Sequence, residues 1–213
     1  MPAQRFLDIG SFSVSGSVHA YQDRLLVNAS LGLFAVADGV SVPDFGDSGK
    51  AAEFALAALE KRFAGDLVAA MEYANTELIR EKKSLNLGLT TLSAVYISEV
   101  NHALFANVGD SPSFLLKRGK LIEMSQIDNN GIHITQVIGR AGIEVHRKEA
   151  VLETGDIAIL ATDGVEHVLN EDVLLPILGQ SSSMKDFASG ILRAAKERVS
   201  AYDDDKTLVC IRF

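Results

Sequence analysis

The apolar, β-branched runs of this chain are not separated by single helices. Residues 32 to 37 ("GLFAVA"), 91 to 98 ("TLSAVYIS") and 102 to 108 ("HALFANV") read as strands, as do "SFLLKR", "DIAILA" and "KTLVCIRF". Only Glu99, Val100, Asn101 and His102 stand between "AVYIS" and "ALFANV", which predicts a hairpin. Two helices come together early in the chain. Residues 48 to 63 set Ala52, Ala55, Leu56, Leu59 and Phe63 on one face, with Asp47 or Ser48 as N-cap. Residues 66 to 82 do the same with Leu67, Ala70, Met71, Ala74 and Leu78. Two more, "NEDVLLPIL" and "MKDFASGILRAAKERV", precede the last strand. This order does not fit βαβ units. It predicts an α+β fold in which two mostly antiparallel sheets pack face to face with helices on both outer faces, a four-layer α-β-β-α sandwich.

At 213 residues the chain suits one domain spanning 1–213 and can bury a substantial core. Its 47% hydrophobic and 23% charged residues are those of a globular protein rather than a disordered one. A formal charge of −8 argues against nucleic acid or an anionic membrane as the main partner, since both require a basic patch. The start, "MPAQRFLDIG", has no apolar signal core, and nowhere do eighteen apolar residues run together, so a cytoplasmic protein is expected. Cys210, the only cysteine, lies in the apolar run "TLVCIRF" and reads as a buried strand residue.

Several strands stop or start on an acid. "AVADG" ends at Asp38, "ANVGDS" at Asp110 and "AILATDG" at Asp163; "YDDDKTLVCIRF" begins with Asp203, Asp204 and Asp205; Asp23 precedes "RLLV". Each alone is equally a turn residue. Together they suggest convergence at one rim, where carboxylates repel unless cations neutralise them. An all-oxygen donor set suits hard cations such as Mg²⁺ or Mn²⁺, and the glycine after Asp38 and after Asp163 lets backbone come close. No histidine or cysteine cluster has zinc spacing, and no Ser-His-Asp or Cys-His arrangement is visible.

The series "QDRLLV", "GLFAVADGVS", "GLTTLSAVYI", "ANVGDSPSFLL", "ILATDGVEHVL" and "DDKTLVCIRF" resembles the metal-dependent protein serine/threonine phosphatases of type 2C, in that family's order, from about residue 8 to 213. The resemblance implies hydrolysis of phosphoserine and phosphothreonine in proteins by a water held between two Mn²⁺ or Mg²⁺ ions, with a third, weaker metal site. On it, Asp38 is the bridging aspartate and Gly39 supplies a backbone ligand. Asp163 and Asp204 are further carboxylates of the first metal, Thr207 fixing which acid of "DDDKT" is meant. Asp110 serves the third metal, or is a turn residue. Thr90 and Thr91 are structural, and His102, His133, His146 and His167 are surface or satisfied core residues. Two alternatives stand beside this reading: the stage II sporulation E-like branch, acting on a small regulatory phosphoprotein, and a catalytically weak pseudophosphatase working as a binding module.

Two positions depart from the family pattern. Its acidic pair is Gln22-Asp23 here, so the second metal falls to Asp23 or to water. Its phosphate-binding arginine falls on Val18. In an extended strand Val18, Ala20 and Gln22 share a face and His19 points away, so Val18 takes the substrate-facing position unless a bulge turns His19 towards the phosphate.

Overall fold

The computed structural model describes residues 8–18, 20–43, 45–131, 133–198 and 203–213. Two five-stranded sheets form its middle. The first holds, in spatial order, β1 (Asp8–Val14), β12 (Lys206–Arg212), β11 (Ile157–Ala161), β8 (Ser113–Lys117) and β9 (Lys120–Glu123). The second holds β10 (His146–Val151), β7 (His102–Val108), β6 (Leu92–Ile97), β3 (Leu33–Ala37) and β2 (Arg24–Asn28). Neighbouring strands are antiparallel throughout both. A short ribbon, β4 (Gly39–Val40) with β5 (Leu89–Thr90), stands beside them.

Side-chain alternation explains why the sheets face one another. In β3 every residue is buried, because both faces are covered. Leu33, Ala35 and Ala37 pack under α1 (Ser48–Arg62) and α2 (Leu67–Glu81), while Phe34 and Val36 point into the layer between the sheets. That middle layer also takes Phe105, Leu160 and Val209. On the other side, α4 (Glu171–Gln180) and α5 (Met184–Glu197) cover the first sheet through Leu174, Phe187 and Ile191 against Ile159 and Leu208. The expected four-layer α-β-β-α sandwich is therefore the observed one. Cys210 is fully buried within it.

The helices start where their caps predict. Asp47 accepts from the Lys50 N–H at 2.9 Å, Asp66 from that of Ala69 at 3.0 Å and Ser183 from that of Asp186 at 3.1 Å. Phe63, at the end of the first apolar stripe, meets the Tyr96 ring edge-on with centroids 4.9 Å apart. A four-residue helix, α3 (Asp163–Glu166), follows β11 directly. No helix among the described residues is long and apolar enough to cross a membrane.

Candidate active site

Asp38 follows β3, and the chain turns at Gly39 into β4. Its backbone is fixed by two buried threonines. The Asp38 N–H donates to Thr91 Oγ1 at 3.0 Å, and its carbonyl accepts from the Thr91 N–H and the Thr90 hydroxyl, both at 2.8 Å. Thr91 Oγ1 also lies 2.6 Å from Ser111 Oγ, beside Asp110. Thr90 and Thr91 are thus structural, as expected, and what they hold is Asp38. Gly39 is needed for close packing: a Cβ there would lie 2.7 Å from the Ser48 carbonyl.

The Asp38 side chain is set among Asp23, Asp163, Asp204 and Asp110. Burial first, and then the charges of those four acids, push its carboxyl well above the usual carboxylate range. Asp23 is only 1% exposed. Its Oδ2 accepts from the Thr162 hydroxyl at 2.7 Å, while Oδ1 is buried with no hydrogen-bond partner. Desolvation lifts Asp23 to about 7, against the opposing hydrogen bonds of Thr162 and Thr207. Asp163 opens α3 beside Asp38. Its carboxyl is raised to about 6, by crowding out of solvent first and by Asp204 and Asp110 next, although the residue keeps an open face.

Gly164 lets the start of α3 approach the 204–205 segment, since a Cβ there would sit 2.0 Å from the Asp205 carbonyl oxygen. Thr162 completes the link by exchanging bonds with Thr207: the Thr207 N–H donates to Thr162 Oγ1, and the Thr162 N–H to the Thr207 carbonyl, each at 3.0 Å. Of the three adjacent aspartates, Asp203 pairs with Lys206 and Asp204 faces the acids. Asp205 turns inward, where it accepts from the N–H groups of Gly16 (2.8 Å), Gln22 (2.6 Å) and Asp23 (3.3 Å). Sequence reasoning missed this role. The signal was present only as an aspartate beside a chosen one.

Asp110 lies in the turn after β7 and accepts from Asn129 Nδ2 at 3.1 Å; burial pushes its carboxyl up. That turn is locked by a second residue not singled out from the sequence. Asp128 accepts from the Gly109 N–H at 2.9 Å and from Gln136 Nε2 at 2.8 Å, and its Oδ1 lies 2.8 Å from His146 Nε2. His146 is accordingly a satisfied core histidine. His133 is exposed.

The expected extended strand over Val18, Ala20 and Gln22 is not formed. Strand β1 ends at Val14 and β2 begins at Arg24, and the described residues between them belong to no strand, with Asp205 accepting from the backbone at Gly16 and Gln22. Alternation therefore does not decide where Val18 points. Val18 is 43% exposed, and its neighbour Ser17 donates to the Asp203 carbonyl at 2.9 Å. His19 lies outside the described residues. The Gln22 side chain accepts from the Ser41 hydroxyl at 2.8 Å.

A divalent cation fits these residues. The donors are all oxygen, the unpartnered Asp23 Oδ1 is a buried acceptor, and the carboxyls are raised by burial first and by mutual repulsion next, both of which positive charge would offset. Among the described residues no three acids form a ready ligand cage.

The architecture is the fold of the PPM serine/threonine phosphatases. PppA of Pseudomonas aeruginosa, described as a key regulatory component of T6SS, superposes with a TM-score of 0.81 at 20% identity over 98% of each chain. The catalytic domain of the serine/threonine protein phosphatase PstP, in complex with 2 manganese ions, gives 0.78 at 22% identity over 97% of each chain. A serine/threonine phosphatase of S. agalactiae gives 0.81 at 20% identity, over 97% of this chain and 99% of its own. Comparison by sequence with curated proteins finds no match. Residues 51–213 match the family model for stage II sporulation protein E (SpoIIE), and the chain belongs to that family.

Proposed function

We propose that this protein is a metal-dependent phosphatase that hydrolyses phosphoserine and phosphothreonine monoesters in proteins, as a single domain over 1–213 acting in the cytoplasm. The carrying observation is the convergence of Asp23, Asp110, Asp163 and Asp204 on Asp38 from segments far apart in sequence, with a buried Asp23 oxygen left unpartnered. Asp38, Asp163, Asp204 and the Gly39 carbonyl would hold one Mn²⁺ or Mg²⁺, and Asp38 with Asp23 a second, with Asp110 and Asp163 at a weaker third site. Two such ions, when bound, neutralise a phosphate dianion and lower the pKa of water beside it. The chain's own part is positional. Thr90 and Thr91 hold Asp38 at the middle of the rim, Asp205 holds Asp23 by its backbone, and Asp128 and Asn129 hold the Asp110 turn. No side chain is asked to act as nucleophile.

The test is turnover of a phosphoserine peptide and of p-nitrophenyl phosphate with added Mn²⁺. Activity abolished by chelator and restored by Mn²⁺ or Mg²⁺ is expected; activity that persists in excess chelator overturns the reading. Bound metal without turnover on either substrate would mark a binding module instead.

A further inference from the structure

The chain is acidic overall, with a formal charge of −8, yet two cations converge on one exposed ring. Phe45 lies in the loop between β4 and α1 and is 41% exposed. Lys82 Nζ stands 4.9 Å from its ring centroid and the Arg140 guanidinium carbon 5.8 Å. Both cations are held from below. The Lys82 ammonium donates to the Gly139 carbonyl at 3.3 Å. The buried Asn75 side chain accepts from the Gly139 N–H at 2.7 Å and donates to the Arg140 carbonyl at 3.0 Å. Arg140 itself is exposed. Among the described residues no carboxylate stands within ion-pair distance of either cation.

A ring contact alone would account for one cation. Two like charges over one ring oppose each other, and Lys82 is held below its ordinary lysine range by burial first and by Arg140 next. An anion between them relieves that repulsion, as cations would relieve the acids across the rim. The two places are connected by backbone pairing: Gly39 pairs with Thr90, and Thr90 with Ile138. Arg140 follows two residues later. Two strand spacings and two residues of chain put it at most about 17 Å from Gly39. That bound keeps Arg140 within reach of a substrate chain whose phosphorylated residue lies at the rim.

We propose that Phe45, Lys82 and Arg140 form a docking site for an acidic side chain of the phosphoprotein substrate, within about five residues of the phosphorylated one in an extended chain advancing ~3.3 Å per residue. This rests on the phosphatase reading and specifies its substrate class. It also supplies an anchor that does not depend on an arginine at position 18.

The test uses phosphoserine peptides carrying aspartates, or alanines, four residues to either side of the phosphoserine. The expected KM is roughly three- to tenfold lower for the acidic peptide, the size of exposed ion pairs, with similar kcat. The ratio of the two KM values should fall towards one in Arg140→Ala and in Lys82→Ala, and recover in part in Arg140→Lys. Fluorescence anisotropy of a labelled, unphosphorylated acidic peptide should rank the variants in the same order and weaken with salt. Equal KM values in the unmodified protein, or a ratio that neither alanine changes, would overturn the docking site. Turnover of neither peptide would instead overturn the phosphatase reading, and anisotropy alone would then decide the docking site.

Discussion

Asp38 and Asp205 are aspartates at strand ends with opposite environments. Asp205 receives backbone N–H groups from Gly16, Gln22 and Asp23 and holds the segment before β2 in place. Asp205→Ala should therefore lose about 2–4 kcal/mol in urea unfolding, because buried donors are left without an acceptor. The Asp38 side chain has other acids around it instead. Asp38→Asn should cut turnover by about a hundredfold or more, beyond what loss of a ligand's supporting bonds costs, while raising the melting temperature of the metal-free protein by removing repulsion. Asp110→Asn should mainly raise the Mn²⁺ concentration needed for half-maximal activity. Equal loss of activity at saturating Mn²⁺ would put Asp110 on the same footing as Asp38.

Two glycines separate geometry from propensity among the elements. At Gly164 a Cβ would meet the Asp205 carbonyl oxygen at 2.0 Å, so Gly164→Ala must push α3 off the 204–205 segment. A loss of at least about 2 kcal/mol is expected, with loss of activity although no acid changes. Gly179, within α4, has open space where a Cβ would go; Gly179→Ala should stabilise by about 0.5–1 kcal/mol on helix propensity alone. Both follow from denaturant midpoints. The elements legible in the sequence were those with a complete apolar pattern. Strands β3, β6, β7 and β12 and both early helices declared themselves by runs such as "GLFAVA" and by the Leu67 to Leu78 stripe. Strands β1 ("DIGSFSV") and β10 ("HRKEAV") did not, because edge strands with polar or open faces lack that pattern. The acids at strand ends could be found because Asp-Gly after an apolar run is a local signal. The inward turn of Asp205 and the Asp128–His146 pair could not, since their partners lie up to 189 residues away.

For the whole molecule, the raised acids make stability depend on pH and metal together. Asp23, at about 7 when folded, and Asp163, at about 6, both rise from the ordinary aspartate value of 3.8. The folded state thus binds more protons than the unfolded one between those values. Their contribution is fully present below pH 3.8 and is lost as pH rises through about 6 to 7. The metal-free protein should therefore melt lower at pH 8 than at pH 5.5. Saturating Mn²⁺ should remove most of that difference, and Asp23→Asn should flatten the metal-free profile. A metal-free melting temperature that rises over this range would contradict the sign. In the first sheet, β12 lies between β1 and β11, and this arrangement has a consequence during synthesis. The ribosome delivers β1 long before its sheet neighbour among the described residues, so until residues 206–212 emerge the Asp8–Val14 segment lacks that strand to pair with. Nascent chains stalled before residue 206 should be cut readily by protease near β1 and should lack the Asp204 side of the rim. Emergence of residues 206–212 should protect both β1 and β12 in one step.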